Sequence, residues 1–395
     1  MKVLEGLSPY EAACFGIKEA KDEDPFFILD ANDLHRKVNV WKENLPRVKP
    51  FYAVKCNNDP EVLKILVHLG IGFDVASVVE LKTMLNLGAD PSNIVFAHTC
   101  KLPSHVLIAK SLKVLKMTFD NIDELYKIKE LYPEAHLLLR LSCDGKDDHK
   151  LGKKFGTDPI YCTGLLAVAK ELELNVVGVS FHVGSRVQDG ASYFDAIGVS
   201  HWVIEQARSM GFKPHILDIG GGFPQITGDL FTDEAKVISE GLEKFFPNDG
   251  PFGPMEIIAE PGRYIVGTAL SLVTMVSSRR LVRSFDGKVQ EAMYYLNDGI
   301  YGSFSFLRYE ERDFKNYIVI RKTSKDYNVS DKQVPTILWG PTCDSNDLVA
   351  KDMGMPELHI GDFVYWPAIG DYTIAAQSTF NGLAKAFIRY VITQY

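Results

Sequence analysis

The sequence predicts an α/β fold in which a (β/α)8 TIM-like barrel is followed by a mostly antiparallel β-sandwich or β-barrel domain. Short apolar, β-rich segments recur from residue 51 to about residue 261. Most of them begin about 20 to 40 residues apart, which leaves room for a helix between successive strands. After about residue 265 strand-like runs follow one another without long helices between them.

Eight segments are predicted as barrel strands: Phe51–Lys55, Phe73–Ser77, Ile94–His98, Met117–Asp120, Leu137–Leu141, Val176–Val183, Ile216–Gly220 and Ile257–Glu260. Between the first two, Asp59-Pro60-Glu61 has the residues of a helix start, and Val62, Leu63 and Leu66 follow at helical spacing. Eight such units favour a closed barrel, and a doubly wound open sheet is the structural alternative.

The second domain is predicted from the runs Ala269–Val276, Ala292–Leu296 and Phe363–Trp366, with Phe26–Asp30 adding a strand from the N-terminal end. We therefore expect residues 30–265 to form the barrel and residues 1–29 plus 266–395 to form the β-domain. The charged stretch from Glu310 to Gln333 is predicted to be a surface loop region or an insertion.

Composition excludes several classes of function. The 395 residues carry a formal net charge of −8 with a sequence pI of about 5.7 and no basic block, so nucleic acid is not an expected partner. No apolar run reaches the roughly 18 residues of a membrane span, and the N-terminus lacks a signal-peptide core, so we expect a cytoplasmic protein. The six cysteines form no CxxC pair and the ten histidines no cluster, so we expect reduced thiols and no metal.

Lys55 closes the first predicted strand, in the aromatic, β-rich run PFYAVKCN. A lysine in this place would lie at a buried sheet end, where an ammonium ion is costly unless it is paired. Amines in such environments form Schiff bases. The alternative is a lysine whose stem follows apolar surface while its ammonium group reaches water.

The other predicted strands also end in polar groups or glycines. In a barrel of this kind, active-site groups come from the carboxyl ends of the strands. Read in order, these ends supply an amine, two carboxylates, a guanidinium, an imidazole and a glycine loop, from Lys55, Asp74, Arg140, His182, Gly220, Gly221, Gly222 and Glu260.

This set of groups matches the needs of pyridoxal phosphate. Successive glycines free backbone N–H groups for an anion, and Arg263 could add a guanidinium to the same phosphate. Glu260, if buried, needs a cation such as a protonated pyridine nitrogen, and His182 has a ring face for stacking. Each feature taken alone has a plainer explanation: a tight turn, a surface ion pair or a structural histidine.

The second domain contains one dense motif, WGPTCDSND (339–347), in which Cys343 stands beside Asp344. A core thiol next to a turn-capping aspartate is the plainer explanation. Tyr372, which follows Gly370 and Asp371, could donate its hydroxyl to a phosphate or be an ordinary strand aromatic.

Eight motifs in this order resemble the eukaryotic-type ornithine decarboxylases, which are pyridoxal-phosphate enzymes with an alanine-racemase-like barrel and a β-domain. The resemblance covers almost the whole chain, from about Asp24 to about Tyr390. The motifs are PFYAVKCN (50–57), FDVAS (73–77), SFHVGS (180–185), LDIGGGFP (217–224), AEPGRY (259–264), YYLNDGIYGSF (294–304), WGPTCD (339–344) and FNG (380–382).

The resemblance implies a role for each matching position around the cofactor. Lys55 would hold pyridoxal 5'-phosphate as a Schiff base, Glu260 would pair with the pyridine nitrogen, and His182 would stack on the ring. Asp74 and Arg140 would lie close to the Schiff-base end. The residues that would hold the phosphate or shape its loop are Ser185, Gly220, Gly221, Gly222, Arg263 and Tyr372.

The resemblance also implies decarboxylation of a basic amino acid, L-ornithine to putrescine, by a homodimer with shared active sites. Cys343 would cross the subunit interface to protonate the substrate carbon after CO2 leaves, and Asp344 would receive the distal amine. Lys154 and Asp347 match the family's intersubunit ion pair. The remaining substrate-binding positions implied are Tyr301, Glu310 and Phe380.

Three positions depart from the usual family pattern. Glu310 stands where an aspartate usually binds the distal amine, and its extra methylene extends the carboxylate by about 1.3–1.5 Å. That would shorten the pocket, or, if the segment retracts, admit arginine or lysine. Asp371 replaces an alanine beside Tyr372, and we expect it to face solvent. Arg186 replaces a glycine, and it would pair with Asp371 or lie outside the pocket.

Two rival functions use the same fold. One is an inactive regulator resembling antizyme inhibitors, which lose the cofactor and catalytic residues that this chain retains. The other is an amino-acid racemase, against which the WGPTCD motif argues. Binding of antizyme has no support here, because the sequence ends soon after FNG without the long C-terminal extension of vertebrate members.

Overall fold

The computed structural model describes residues 1–143, 154–187, 190–225, 230–310, 312, 316–321 and 333–393. The chain divides into two compact units. One is His35–Ile265, which we call the barrel unit, and the other combines Met1–Leu34 with Val266–Tyr395, which we call the β-unit.

Strands and helices are numbered in chain order. The strands are β1 Lys2–Glu5, β2 Phe26–Asp30, β3 Val48–Ala53, β4 Gly72–Val75, β5 Ile94–Phe96, β6 Lys116–Phe119, β7 His136–Ser142, β8 Asn175–His182, β9 Ile216–Asp218, β10 Glu256–Ala259, β11 Leu270–Arg283, β12 Val289–Leu296, β13 Ile318–Ile320, β14 Val334–Trp339, β15 Leu348–Met355, β16 Phe363–Trp366 and β17 Phe387–Thr393. The helices are α1 Pro9–Glu19, α2 Ala31–Asn44, α3 Pro60–His68, α4 Val78–Asn86, α5 Pro103–Ser111, α6 Ile122–Leu131, α7 Cys162–Glu171, α8 Ala191–Ser209, α9 Leu230–Phe245 and α10 Arg263–Val266.

The barrel unit is built on a closed sheet of eight parallel strands. The strands follow chain order from β3 to β10, and β10 pairs with β3 to close the ring. Helices α3 to α9 alternate with these strands. Closure confirms the predicted (β/α)8 barrel and excludes the doubly wound open sheet, because an open sheet has two unpaired edges.

The interior of the barrel is filled by apolar side chains from several strands. One buried cluster consists of Phe51, Val95, Leu138, Val177, Ile216 and Ile258. Gly178 is fixed by close packing, because a Cβ atom there would approach the carbonyl oxygen of Ile216 to 2.2 Å. The polar groups of the strands therefore reach a common site at the strand ends, while the interior stays apolar.

The local signals between β3 and β4 act as the sequence predicts. The side chain of Asp59 accepts a hydrogen bond from the backbone N–H of Glu61 and so caps α3, which has Pro60 in its first turn. Val62, Leu63 and Leu66 are buried. One prediction at the other end of β3 is wrong: the strand ends at Ala53, and Lys55 lies in a short 3-10 turn after it.

The described residues of the β-unit form one connected sheet of nine strands. The 14-residue strand β11 is its axis, since it pairs antiparallel with β2, β12 and β16. Parallel pairs are β1 with β17, β2 with β17, and β12 with β14. The predicted mostly antiparallel domain is thus confirmed, and β2 belongs to it as expected from Phe26–Asp30.

The stretch from Glu310 to Gln333, predicted as a loop region, contains the short strand β13, which pairs with β16. Residues 311, 313–315 and 322–332 of that stretch lie outside the described residues. Among the helices of the described chain, none combines the length and the apolar character needed to cross a membrane.

We expect Leu138→Ala to lower the free energy of unfolding by about 2–5 kcal/mol, because it opens a cavity in the barrel interior. Denaturant unfolding followed by circular dichroism measures this change. Leu102→Ala is the control, because Leu102 is 58% exposed. Equal unfolding midpoints for the two variants would contradict this account of the core.

Candidate active site

Lys55 and Asp74 form an ion pair at the carboxyl ends of neighbouring barrel strands. Ala53 of β3 is in register with Asp74 of β4, and the turn after β3 brings the Lys55 Nζ against Asp74 Oδ2. The expectation that Lys55 is buried is wrong, since its side chain is 42% exposed, whereas Asp74 is buried. A paired but accessible amine can be reached by a carbonyl ligand. The other oxygen of Asp74, Oδ1, is buried and has no hydrogen-bond partner among the described residues.

Glu260 and Asp218 are two buried carboxyl groups at the ends of the adjacent strands β10 and β9. Burial raises the pKa of Glu260 well above its ordinary value, and the negative charges of Asp218 and Asp74 raise it further. Burial also raises the pKa of Asp218 to about 6, against hydrogen bonds from the Gly220 N–H and from Glu260. Carboxyl groups in this state favour a bound cation, which would offset the cost of their charge.

The imidazole of His182 is neutral at the end of β8. Burial lowers its pKa well below the ordinary value, and the positive charges of Arg140 and Lys55 act in the same direction. The Gly184 N–H donates to Nδ1 at 3.2 Å, so the proton of the neutral ring is on Nε2. A Cβ atom at Gly221 would stand 2.9 Å from that Nε2, so glycine is what lets the ring lie against the loop.

The triple-glycine loop is held in a fixed shape by bonds to its backbone. Gly220 has a φ of +65°, and a Cβ atom there would come within 2.0 Å of the Phe181 carbonyl oxygen. Its N–H donates to Asp218 Oδ1 at 2.9 Å. The Gly221 carbonyl accepts from the hydroxyl of Tyr193, and the Gly222 carbonyl accepts from the N–H of Val187.

Arg263 and Ser185 lie together beside this loop. The Nη2 of Arg263 donates to the Ser185 hydroxyl at 3.5 Å, and the Arg263 side chain is buried. The predicted neighbour Arg186 is exposed and has a φ of +60°. A guanidinium, a hydroxyl and a glycine loop are suitable donors for a phosphate group.

The barrel unit therefore fits pyridoxal phosphate on observations of its own. The buried Asp74 Oδ1 offers an acceptor, and Glu260 lies where a protonated ring nitrogen would offset its charge. Arg263 and Ser185 would supply donors for the phosphate. Lys55 supplies an accessible amine. The predicted cofactor residues of this unit are all at the carboxyl rim of one barrel, as the resemblance implies.

Cys343 and Asp344 belong to a second cluster, inside the β-unit. The thiol of Cys343 donates to Asn381 Oδ1 at 3.4 Å, and the Cys343 N–H donates to the same oxygen at 3.1 Å. The hydroxyl of Tyr301 donates to Asp344 Oδ2, and the Tyr301 ring stacks on Phe380 with centroids 4.3 Å apart. The hydrogen bond from Tyr301 lowers the pKa of Asp344, so its carboxylate stays charged. The sequence motifs WGPTCD and FNG thus meet in space.

Asp347 organises the loop that carries Cys343. Its carboxylate is buried and accepts from the Ile300 N–H at 2.9 Å, and from the N–H and hydroxyl of Thr342 at 3.0 and 2.7 Å. Lys154, in the barrel unit, is exposed and lies over the ring of Phe155 at 5.0 Å. The intersubunit pair of Lys154 and Asp347 stays a prediction.

Glu310 and Asp371, two of the departures from the family pattern, share one arginine. The Nη2 of Arg312 lies 2.7 Å from Glu310 Oε1 and 2.9 Å from Asp371 Oδ2. The expectation that Asp371 faces solvent is wrong, because Asp371 is fully buried. Arg312 is a described partner of Asp371, and the pairing of Asp371 with Arg186 stays a prediction. Burial of a carboxylate requires such a cation.

Tyr372 follows Asp371 and takes a left-handed backbone conformation, with a φ of +55°. Its carbonyl oxygen accepts from the Ser305 hydroxyl at 3.4 Å. Backbone conformations of this kind are uncommon outside glycine and are often found at functional sites. A contact between the Tyr372 hydroxyl and phosphate stays a prediction.

The sequence analysis missed three residues of these clusters: Asp218, Arg312 and Asn381. Asp218 had a readable signal, since a lone acid inside the apolar strand Ile216–Asp218, next to a glycine loop, requires a partner. Asn381 lies in a quoted motif but was not singled out. Arg312 lies in a charged stretch, where sequence gives no means of choosing one arginine.

The comparisons with known proteins agree with the class of enzyme that the barrel and its rim define. A family model described as "Pyridoxal-dependent decarboxylase, pyridoxal binding domain" matches residues 31–267. Ornithine decarboxylase of Schizosaccharomyces pombe is 42% identical over 379 residues, which cover 95% of this chain and 85% of that protein. Antizyme inhibitor 2 of Xenopus laevis is 41% identical, with 95% and 83% covered.

Solved structures give the same result. The arginine decarboxylase of Paramecium bursaria Chlorella virus, bound to agmatine, matches with a TM-score of 0.89 at 35% identity, covering 97% of this chain and 100% of that one. The chain belongs to the pyridoxal-dependent decarboxylase family. Within it, the protein is an ornithine decarboxylase-like carboxy-lyase that uses pyridoxal phosphate.

We expect Asp218→Asn to stabilise the cofactor-free protein at pH 7, by up to about 3 kcal/mol. The pKa of Asp218 is raised from 3.8 to about 6 on folding, so the folded form binds this proton more tightly. The free energy of unfolding therefore falls as the pH rises from about 4 to about 6, and asparagine removes that loss while keeping an acceptor for the Gly220 N–H.

Thermal melting of wild type and variant between pH 4 and pH 8 measures the difference. Asp249→Asn is the control, because Asp249 is an exposed carboxylate of the same unit. If the two variants follow the wild-type pH dependence equally, Asp218 has no raised pKa and the electrostatic description of the rim is wrong.

Proposed function

We propose that this enzyme decarboxylates a basic amino acid, with L-ornithine as the preferred substrate and putrescine as the product, a reaction of polyamine biosynthesis. The observation that carries the proposal is the cluster of Cys343, Asp344, Tyr301 and Phe380, in which a thiol that donates to Asn381 lies beside a charged carboxylate. Relatives named ornithine decarboxylase, from fission yeast and from Mus musculus, support it.

Each group has a task that its environment suits. Lys55 would be the amine that anchors the cofactor, and Asp74 holds this amine at the rim of the barrel. His182 would lie on the ring face, and Glu260 would face the ring nitrogen. Pyridoxal phosphate, when bound, supplies the electron sink that stabilises the charge left by the departing CO2.

The β-unit would supply the acid and the specificity. The thiol of Cys343 would deliver a proton to the substrate carbon, and it is held as a donor by Asn381. Asp344 would bind the distal cation of the substrate, since Tyr301 keeps its carboxylate charged. We propose a homodimer in which Cys343 reaches the active site across the subunit interface.

Arginine or lysine is the second candidate substrate. Glu310 replaces the usual aspartate, and its carboxylate is turned to Arg312. The similarity to a viral arginine decarboxylase, and to a lysine/ornithine decarboxylase of Vibrio vulnificus with 29% identity and a TM-score of 0.83, supports this alternative. An inactive regulator is disfavoured, although Antizyme inhibitor 2 is a relative, because the Lys55–Asp74 pair and Cys343 are retained.

The substrate is tested by CO2 release from ornithine, lysine and arginine, each measured as kcat/KM on the holoenzyme. We expect all three to be turned over at different rates and ornithine to be preferred. A preference for arginine or lysine would overturn the ornithine assignment but not the class of reaction. Absence of CO2 from all three would sink the proposed function.

Lys55→Ala tests the anchor of the cofactor. We expect the purified variant to lose the absorbance band near about 420 nm that lysine-bound pyridoxal phosphate gives, together with all activity. Lys49→Ala is the matched control, because Lys49 lies on β3, the strand that precedes Lys55, and pairs with Glu256 at 3.1 Å away from the rim. Retention of the band in Lys55→Ala would mean that another amine holds the cofactor.

Asn381→Gly tests whether the acceptor orients the Cys343 thiol. Asn381 has a φ of +56°, which glycine adopts without strain, so the change removes only the side-chain acceptor. We expect kcat to fall by roughly three- to tenfold, the effect of losing one hydrogen bond, with KM changed by less than about twofold. Asn381→Asp keeps the acceptor oxygen and should retain more of the activity. Equal kcat values for wild type and Asn381→Gly would refute this role.

A further inference from the structure

Arg312 is the contact through which Glu310 and Asp371 are joined. One terminal nitrogen of its guanidinium, Nη2, donates to both carboxylates, at 2.7 Å and 2.9 Å. Glu310 and Asp371 are 61 residues apart in the chain, so the three side chains form a tertiary cluster, which we call the acidic clamp. Their exposed fractions are 8% for Glu310, 13% for Arg312 and 0% for Asp371.

Two buried groups fix the position of Arg312. Its guanidinium carbon lies 4.2 Å from the ring centroid of Phe306, which is fully buried, and the cation is attracted by the ring face. Asp371 binds the same guanidinium and is also fully buried. Phe306 and Asp371, both buried in the β-unit, thus hold Arg312 on one side. Its contact with Glu310 is made by the same nitrogen, Nη2, that binds Asp371.

The backbone at Glu310 is held by one further turn. The Glu310 N–H donates to the Phe306 carbonyl oxygen at 3.0 Å, just after the short 3-10 helix Ser305–Arg308. Phe306 therefore contributes its carbonyl to the backbone of Glu310 and its ring to Arg312. A movement of Arg312 and a movement of Glu310 are mechanically linked through this one residue.

The side chains of Glu310 and Arg312 border open space. Both residues line a cavity of about 1050 Å³ in the β-unit, bordered also by Tyr317, Val349 and Met353. A glutamate has one more rotatable bond than the aspartate usual at this position, and its freedom increases accordingly. The contact with Arg312 restricts the positions that the Glu310 carboxylate can take.

We propose that Arg312 is a specificity-determining positioning residue, which fixes the Glu310 carboxylate through its shared contact with Asp371 and so sets which basic amino acid is preferred. The inference rests on the proposed function, decarboxylation of a basic amino acid, and on the resemblance that places Glu310 among the substrate-binding positions. It adds the residue that decides where this carboxylate stands.

Asp371 also has an electrostatic task in the acidic clamp. An ion pair of Glu310 and Arg312 alone would be neutral and would attract a cationic substrate weakly. With Asp371, the three described side chains carry two negative charges and one positive charge. Asp371 therefore offsets part of the positive charge that Arg312 brings to Glu310.

The test uses the holoenzyme with Arg312→Gln and the double variant Arg312→Gln/Asp371→Asn. Glutamine removes the charge and nearly keeps the volume, and the double variant avoids an unpaired buried Asp371 that could prevent folding. Arg321→Gln is the matched control, because Arg321 pairs with the buried Asp362 at 2.7 Å in the same unit.

We expect the ratio of kcat/KM for the preferred basic amino acid to that for the next best to fall on the order of tenfold in both variants, with most of the change in KM. Calorimetric titration of each holoenzyme with putrescine and with agmatine gives an independent readout, in which the two dissociation constants should approach each other. The control should change the melting temperature only.

Three outcomes are distinguished. Wild-type enzyme that releases CO2 from none of the three amino acids refutes the proposed function, and this inference with it. Active wild type with substrate and ligand ratios within about twofold in both Arg312 variants, as in the control, refutes the role of Arg312 alone. Ratios that fall in both variants and stay constant in Arg321→Gln support it.

Discussion

The carboxyl groups of Asp74, Asp218 and Glu260 lie buried at the carboxyl rim of one parallel barrel. The charge states of Glu260 and Asp218 depend on this arrangement. Burial raises the pKa of Glu260 and of Asp218, and the negative charge of Asp74 adds to both shifts. The barrel holds them together because closure of its sheet fixes every strand end. The cost is met in part by Lys55 and Arg140, whose positive charges act in the opposite direction.

The same charges explain the state of the neighbouring groups. Burial lowers the pKa of His182, and the charges of Arg140 and Lys55 act in the same direction, which leaves a neutral ring with its proton on Nε2. A neutral ring can lie against a cationic heterocycle without repulsion, whereas an imidazolium could not. A cation beside Glu260 would offset the cost of its buried charge, and a protonated ring nitrogen of pyridoxal phosphate would be such a cation.

In the β-unit, too, buried carboxylates are stabilised by the partners that surround them. Asp371 is fully buried, and Arg312 is the partner that makes its burial tolerable. Asp347 is buried as well, and three donors of the surrounding loops satisfy it. In both cases a buried acid is held by donors close to a residue of the proposed site, which is the exposed Cys343 for Asp347 and the largely buried Glu310 for Asp371.

The sequence predicts the barrel, the mostly antiparallel domain and the use of pyridoxal phosphate, because apolar period, strand spacing and strand-end chemistry are local properties. It also brought out Cys343 and Asp344 through a single motif. It gives no signal for Arg312. The expectations that Asp371 faces solvent and that Lys55 is buried are both wrong. Those three outcomes depend on which residues meet after the chain folds: a turn that carries Lys55 beyond the end of its strand, and an arginine that reaches a carboxylate 59 residues away. Such contacts are visible in the folded protein and not in the sequence, because the free energy of a buried charge depends on its neighbours in space and not on its neighbours in the chain.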